Sequence, residues 1–291
     1  MSRRRPLTPG RGLALGFQYL TLVLASILVL LPLWSLIISS LKSAREYLDT
    51  NRIVPPQNWF NLSNYAEAIW PEQANGITIG QAFANTGFIL VFSLLLLILF
   101  GTSAAFVIDR FRFRGRMLIL GAWAMVVAVP GILTPVSTFQ VLKALGLANS
   151  KWALVVLYSG VDIISILIFV QFLKNISTEV DDSARIEGAN YFQIYFRLIL
   201  PMLTPAIATV VILRTVGIYN DFVTPYLYVP QPQEATVSMM LFNMAGFNSG
   251  TSAAVLLAAI VLVILPTVVG FFILQRYIYA GITNEIGRAH V

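Results

Sequence analysis

Six unbroken apolar runs dominate the chain, at about Leu13–Ser40, Ala82–Ile108, Met117–Phe139, Trp152–Leu173, Pro201–Phe222 and Ala253–Gln275. Each approaches or exceeds the ~17–25 residues that a membrane-spanning helix requires. Stretches such as Phe88–Phe100 and Val255–Leu265 lack the alternation of polar and apolar positions expected of membrane barrel strands. The pattern predicts an all-α, polytopic membrane protein with six transmembrane helices. The first run follows Arg3, Arg4, Arg5 and Arg11, as a signal peptide would. Its apolar core is too long for one, and no small-residue cleavage site ends it, so it is read as a span.

Composition agrees. Hydrophobic residues make up 57% of the 291 and charged residues 11%, with a mean hydropathy of +0.79. Soluble domains carry about 25% charged residues, so polar surface is too scarce to cover a water-soluble globule and a lipid bilayer must cover much of it. There is no cysteine, which excludes disulfides and thiolate metal sites.

Charge then orients the spans. With the N-terminus in the cytoplasm, thirteen cations fall in inner segments, from Arg3 through Arg110, Arg112, Arg114 and Arg116 to Lys174, Arg185, Arg197, Arg276 and Arg288. Only Lys42, Arg45, Arg52, Lys143 and Lys151 fall outside. That asymmetry is the signature of a chain whose N- and C-termini are both cytoplasmic. Arg110–Arg116, with Phe between the arginines, lies between two spans. It reads as a topogenic signal rather than a nucleic-acid contact, and the net charge of +6 needs no nucleic acid to explain it.

Between the spans, three outer segments stand out. Lys42–Gly80 carries Trp59, Phe60, Tyr65 and Trp70, either as an interfacial aromatic belt or as a docking surface. Gln140–Lys151 reads as a helical turn ending at Gly146. Val223–Ser252 is long, holds Glu234 as its one charge, and is expected to be flexible at its tip.

The inner segment Lys174–Leu200 is longer than a bare connection needs and reads as two short helices. Thr178 with Asp181 forms a capping-box pattern, Gly188 can end the first helix in the left-handed conformation, and Asn190 with Gln193 opens a second that stops before Pro201. Asp181 and Arg185, four apart, can pair, although Arg185 can also reach Asp182. Glu179 and Asp182 are then left to meet a cation of another chain. Ser183, Ala184, Gly188 and Ala189 are small and allow close approach. The loop has the form of a compact peg with an acidic tip.

Here the chain resembles a known family. Glu179-Val180-Asp181-Asp182-Ser183-Ala184-Arg185-Ile186-Glu187-Gly188-Ala189, followed by Pro201, resembles the EAA loop of ATP-binding-cassette importer permeases of the MalG-type, carbohydrate branch. Asp182-Ser183-Ala184 stands where the family usually has Glu-Ala-Ala, Glu187 for a usual Asp, and Ser177 for a usual Pro. Pro130-Gly131-Ile132 through Pro135, Leu145-Gly146-Leu147-Ala148-Asn149, Tyr219-Asn220-Asp221-Phe222 with Pro225, and Gln275-Arg276-Tyr277 are similar to further elements of that branch.

The resemblance implies a permease subunit in a bacterial cytoplasmic (inner) membrane. It works with a second homologous permease subunit, two ATP-binding subunits that carry ATP and Mg, and an extracellular solute-binding protein. Glu179, Asp182, Ser183, Ala184 and Gly188 would couple to the ATPase. Gly246, Phe247 and Asn248 would contact the binding protein, since the corresponding loop of related permeases reaches into it. The implied divisions are a cytoplasmic segment (1–12), a first helix with its outer loop (13–80), an importer-type domain (81–276) whose coupling loop is 174–200, and a cytoplasmic tail (277–291).

No phosphate-binding loop, catalytic set or metal-ligating set is expected in this chain, and no cofactor is expected to bind it. Asp162, Arg214, Asn220 and Asp221 are the candidates for the substrate path. Asp162 lies roughly 15 Å and Arg214 roughly 12 Å from the outer ends of their spans at the helical rise per residue. These depths agree within the reach of an arginine side chain, so the two charges are expected either to approach each other, directly or through water, or each to find a backbone carbonyl, polar group or partner subunit separately. The competing reading is a secondary active transporter, which would place ionisable groups and broken helices at the midplane. Ile286-Gly287-Arg288-Ala289-His290-Val291 back-translates to ATC GGA AGA GCA CAC GTC, a common sequencing-adapter string. These residues are therefore expected to be a read-through artefact, and His290 carries no functional expectation.

Overall fold

The computed structural model describes residues 9–70, 77–129, 133–160, 162–246 and 249–288. Among them all regular structure is helical. In chain order the helices are α1 (Pro9–Ser40), α2 (Ala44–Asp49), α3 (Ser63–Ile69), α4 (Ile79–Arg110), α5 (Arg116–Ala128), α6 (Pro135–Ala144), α7 (Lys151–Ser159), α8 (Ile163–Leu173) and α9 (Glu179–Ile186). They continue with α10 (Tyr191–Ile194), α11 (Leu200–Met202), α12 (Thr204–Asn220), α13 (Val223–Tyr228), α14 (Val237–Met244) and α15 (Ala253–Arg288).

Three of the described helices are long and apolar enough to cross a bilayer: Leu15–Ser40 within α1, all of α4, and Ala253–Gly270 within α15. The number rises to five if the bent pairs α7–α8 and Tyr191–Asn220 each count as one span. The other three apolar runs are not single straight helices. The third becomes α5 and α6: Val129, the residue before a proline, is extended and ends α5, and Pro135 occupies the first turn of α6, where its missing N–H costs nothing. The fourth breaks between α7 and α8, where Gly160 and Asp162 both adopt extended ψ angles.

The fifth run departs most. The second inner helix does not stop before Pro201. It continues from α10 through a π turn at Tyr195–Ile199 into α11, then bends by 68° into α12 at Leu203. Proline lacks an N–H and its ring crowds the carbonyl four residues back. The wider i→i+5 turn accommodates that disruption without ending the helix.

The chain divides into two compact units, residues 1–73 with 247–266 and residues 74–246 with 267–291. In the first, Lys42 is fully buried, its Nζ donating to Thr50 Oγ1 at 3.0 Å and to the Asn51 carbonyl at 2.8 Å. Asn64 donates to the Ser40 and Lys42 carbonyls, both at 2.7 Å. These bonds satisfy the end of α1 and tie the outer segment to it. Trp59, Phe60 and Trp70 remain exposed.

In the second unit α4 is the central strut, packed against α7, α8, α12 and α14. The segment 223–246, which leads up to the tip expected to be flexible, is folded. Val229, Ala235, Val237, Met239, Met240 and Met244 are buried. Asn85 Nδ2 donates to the Gln233 and Ala235 carbonyls at 2.9 and 3.2 Å, and Thr86 Oγ1 accepts from the Val237 N–H at 3.0 Å. Polar residues near the start of α4 thus hold this backbone in place where hydrophobic patterning gave no hint of structure.

Candidate functional site

The acidic helix α9 has two faces with different fates. Asp181 and Ala184, three residues apart, point inward. Ala184 joins a core made by Leu97, Ala105 and Phe106 of α4, Phe169 and Leu173 of α8, and Leu203, Ala206 and Val210 around the start of α12, together with Ile194, Tyr195 and Ile199. Glu179, Asp182, Ser183 and Gly188 are exposed. Ala184 was expected at the contact surface with them, but its side chain is consumed by its own chain.

The inward acid does not pair with Arg185. Asp181 Oδ2 lies 2.6 Å from Arg110 Nε at the end of α4. Arg110 also donates from Nη1 to Asp109 Oδ2 at 2.9 Å and from Nη2 to the Ile176 carbonyl at 2.9 Å. Burial pushes the Asp181 carboxyl above its ordinary value, and the Arg110 guanidinium offsets only part of that rise. Arg185 instead leans toward Asp182 at 4.0 Å and over the Tyr191 ring at 5.4 Å. Both charged side chains are more than half exposed, so this pair contributes little.

Local signals at the helix ends are partly realised. Gly188, at φ +87°, closes α9: its N–H bonds the Arg185 carbonyl and the Ala189 N–H bonds the Ala184 carbonyl. The Asn190–Gln193 box forms in both directions at 2.9 Å. The Thr178 box does not form, because Thr178 is itself helical in φ and ψ and Asp181 is engaged with Arg110. Ser177 Oγ accepts from the Glu179 N–H instead. Facing solvent beside the acids is Ile186, 88% exposed, with Phe192, 73% exposed, on the next helix.

The structure brings Asp162 and Arg214 together at 3.3 Å. Asp162 also caps α8, accepting from the Ser165 N–H at 2.9 Å and its hydroxyl at 2.7 Å. Arg214 Nη2 donates to the Tyr158 carbonyl at the end of α7 at 2.8 Å. The Tyr158 hydroxyl donates to Asp221 Oδ2 at 3.0 Å, and Asp221 also accepts from the Thr224 N–H and hydroxyl in the first turn of α13. Three candidate residues therefore share one network. Asn220 stays outside it, exposed and bonded to the Val216 carbonyl of its own helix.

Gly246 is exposed at the end of α14, while Phe247, Asn248 and residues 289–291 lie outside the described residues. Among the described residues no cluster of three His, Cys, Asp or Glu could hold a metal.

The sequence reading missed Arg110, Tyr158 and Tyr195 as structural participants. Arg110 lies beyond the apolar run that ends at Ile108, yet it is the last residue of α4, whereas Arg112 and Arg114 fall in the exposed link beyond.

Residues 97–284 match the family described as binding-protein-dependent transport system inner membrane component. The chain is similar to the galactooligosaccharides transport system permease protein GanQ of Bacillus subtilis (strain 168), 28% identical over 94% of this chain and 95% of that one. It is also similar to the diacetylchitobiose uptake system permease protein NgcG of Streptomyces coelicolor (strain ATCC BAA-471 / A3(2) / M145), 30% identical over 92% of this chain and 87% of that one. Among solved structures, its fold matches a chain of a bacterial ABC transporter involved in the import of the acidic polysaccharide alginate. The TM-score is 0.81, the identity 18%, and the coverage 94% of this chain and 99% of that chain.

Proposed function

Because the chain belongs to the family of binding-protein-dependent transport system inner membrane components, we propose that it is one permease subunit of an ATP-driven importer for sugars or related solutes. It spans the membrane several times, with both termini in the cytoplasm. A second permease subunit, two ATP-binding subunits and an extracellular solute-binding protein complete the machine. Oligosaccharides are the favoured cargo, since the similar permeases named above serve galactooligosaccharides and diacetylchitobiose.

The observation that carries the coupling role is the division of α9. One face is locked to α4, and the other presents Glu179, Asp182 and the almost fully exposed Ile186. A helix in that position can receive a partner's push on its outer face and deliver it through its inner one. The α7–α8 break, clasped by Asp162 and Arg214, is a discontinuous span of the kind that lines a solute path; a secondary transporter would share that feature, and the family match is what favours the importer. Alternating access follows when ATP-driven closure of the ATPases moves α9 and the spans packed behind it.

Reconstitution tests the reading. The assembled transporter in proteoliposomes, given binding protein and labelled galactooligosaccharide, should accumulate solute only with ATP inside the nucleotide-binding compartment. Accumulation driven by an ion gradient without ATP would overturn it in favour of secondary transport.

A further inference from the structure

Arg110 is more enclosed than its place in a basic run suggests. Its side chain is 7% exposed, and three different nitrogens face three different groups: Asp181, Asp109 and the Ile176 carbonyl. A cation needed only to orient the chain in the membrane would remain in water, as Arg112 and Arg114 do. A lysine would serve that purpose equally, yet its ammonium is a single point of charge, whereas the planar guanidinium sets separate nitrogens against Asp181, Asp109 and the Ile176 carbonyl.

A second attachment lies two helical turns back along α4. The Tyr195 hydroxyl, on the π turn, sits 2.6 Å from Thr102 Oγ1 and accepts from Ser103 Oγ at 3.0 Å. Thr102 and Arg110 are separated by roughly 12 Å along the helix axis. One anchor would let the loop between α8 and α12 pivot on α4. Two anchors that far apart resist rolling.

We propose that Arg110 is a positioning residue for energy coupling, fixing the tilt of α9 on the end of α4 so that force on Glu179, Asp182 and Ile186 moves α4. This rests on the importer reading above. The contact lies behind the outer face of α9, so Arg110 acts without touching the ATPase. Its loss would leave docking intact and waste the stroke. Buried pairs are also intolerant of losing one member, because the survivor is left uncompensated. The decisive variant therefore neutralises Arg110 and Asp181 together, which leaves Asp109 as the one acid of the cluster, and Arg110→Lys is its control because it keeps a cation beside both acids.

The test uses the complete transporter in proteoliposomes, comparing wild type, Arg110→Lys and the double variant Arg110→Gln/Asp181→Asn. Copurification of the ATPase reports docking, and ATP hydrolysed per solute imported reports coupling. The double variant should retain the ATPase while hydrolysing about tenfold more ATP per solute, the scale of a typical coupling energy between sites. Arg110→Lys should fall between it and wild type. A double variant with wild-type stoichiometry would overturn the proposal while leaving the importer reading intact. Loss of ATPase copurification in both variants would also overturn it, since the role would then be assembly. Absence of ATP-driven uptake in wild type would instead overturn the importer reading itself.

Discussion

Arg214 reaches Asp162 at 3.3 Å across an interruption in the fourth apolar run, and the same guanidinium holds the Tyr158 carbonyl on the other side of that interruption. One side chain thereby satisfies the end of one half-helix and neutralises the cap of the next. Helix ends within a bilayer must find such partners, because no lipid group can supply them.

Replacing Arg214 with Gln should destabilise the protein by about 1–3 kcal/mol, between the ranges for exposed and buried ion pairs, since the Arg214 and Asp162 side chains are 28% and 31% exposed. Asp162→Asn in the same chain should recover part of that loss, as the amide keeps the cap on Ser165 without an unpaired charge. Thermal unfolding in detergent measures both. Equal melting temperatures for the single and double variants would contradict the pairing.

Asp182→Lys should leave the fold intact, because the side chain is exposed and its contact with Arg185 spans 4.0 Å. ATP-dependent uptake should nevertheless drop by about tenfold or more, because a cation replaces an acid on the proposed docking face. Circular dichroism and uptake assays on one preparation separate the two effects. Uptake at the wild-type rate would remove Asp182 from the coupling surface.

Gly188→Val acts differently. Open space surrounds the glycine, but its φ is +87°, a region β-branched residues avoid at a cost of about 1–2 kcal/mol. Gly188→Asn should be tolerated better, because asparagine enters the left-handed region more readily. The two variants should rank in that order for both melting temperature and uptake. The opposite order would show that bulk rather than backbone strain governs the position.

The Asp181 carboxyl sits above its ordinary value because of burial, with Asp182 and Asp109 adding to the rise and Arg110 opposing it. Folded protein therefore binds this proton more readily than unfolded chain does. The group's contribution to stability is greatest below the ordinary carboxylate value and declines as pH rises through the folded one. Relative to Asp181→Asn, the wild type should lose melting temperature across that interval. A difference that stays constant or grows with pH would contradict the assignment.

Local chemistry explains what the sequence made legible. Gly188 and the Asn190–Gln193 box act within a few residues, so their roles could be read before any contact was known. The Asp162–Arg214 approach was also readable, because a bilayer restricts two intramembrane charges to matching depths. Asp181 was different. Its partner Arg110 lies on another helix far back in the chain, and the i,i+4 spacing to Arg185 offered a nearer, mistaken choice. The packed segment 223–246 was hidden for a related reason: its backbone is held by side chains of α4, and its own pattern of Pro, Gly and uncharged residues resembles a loose loop. The π turn before Pro201 needed tertiary context, since proline alone signals only a stop.

The two faces of α9 also decide what can be exchanged. The residues proposed to meet an ATPase, Glu179, Asp182 and Ile186, hang outside the core and can be rewritten without breaking the packing of Asp181, Ala184 or their supports on α4. Transplanting the whole helix from another permease would import an inner face with no matching socket. A hybrid importer is therefore best made by changing three outward side chains and leaving the helix itself in place.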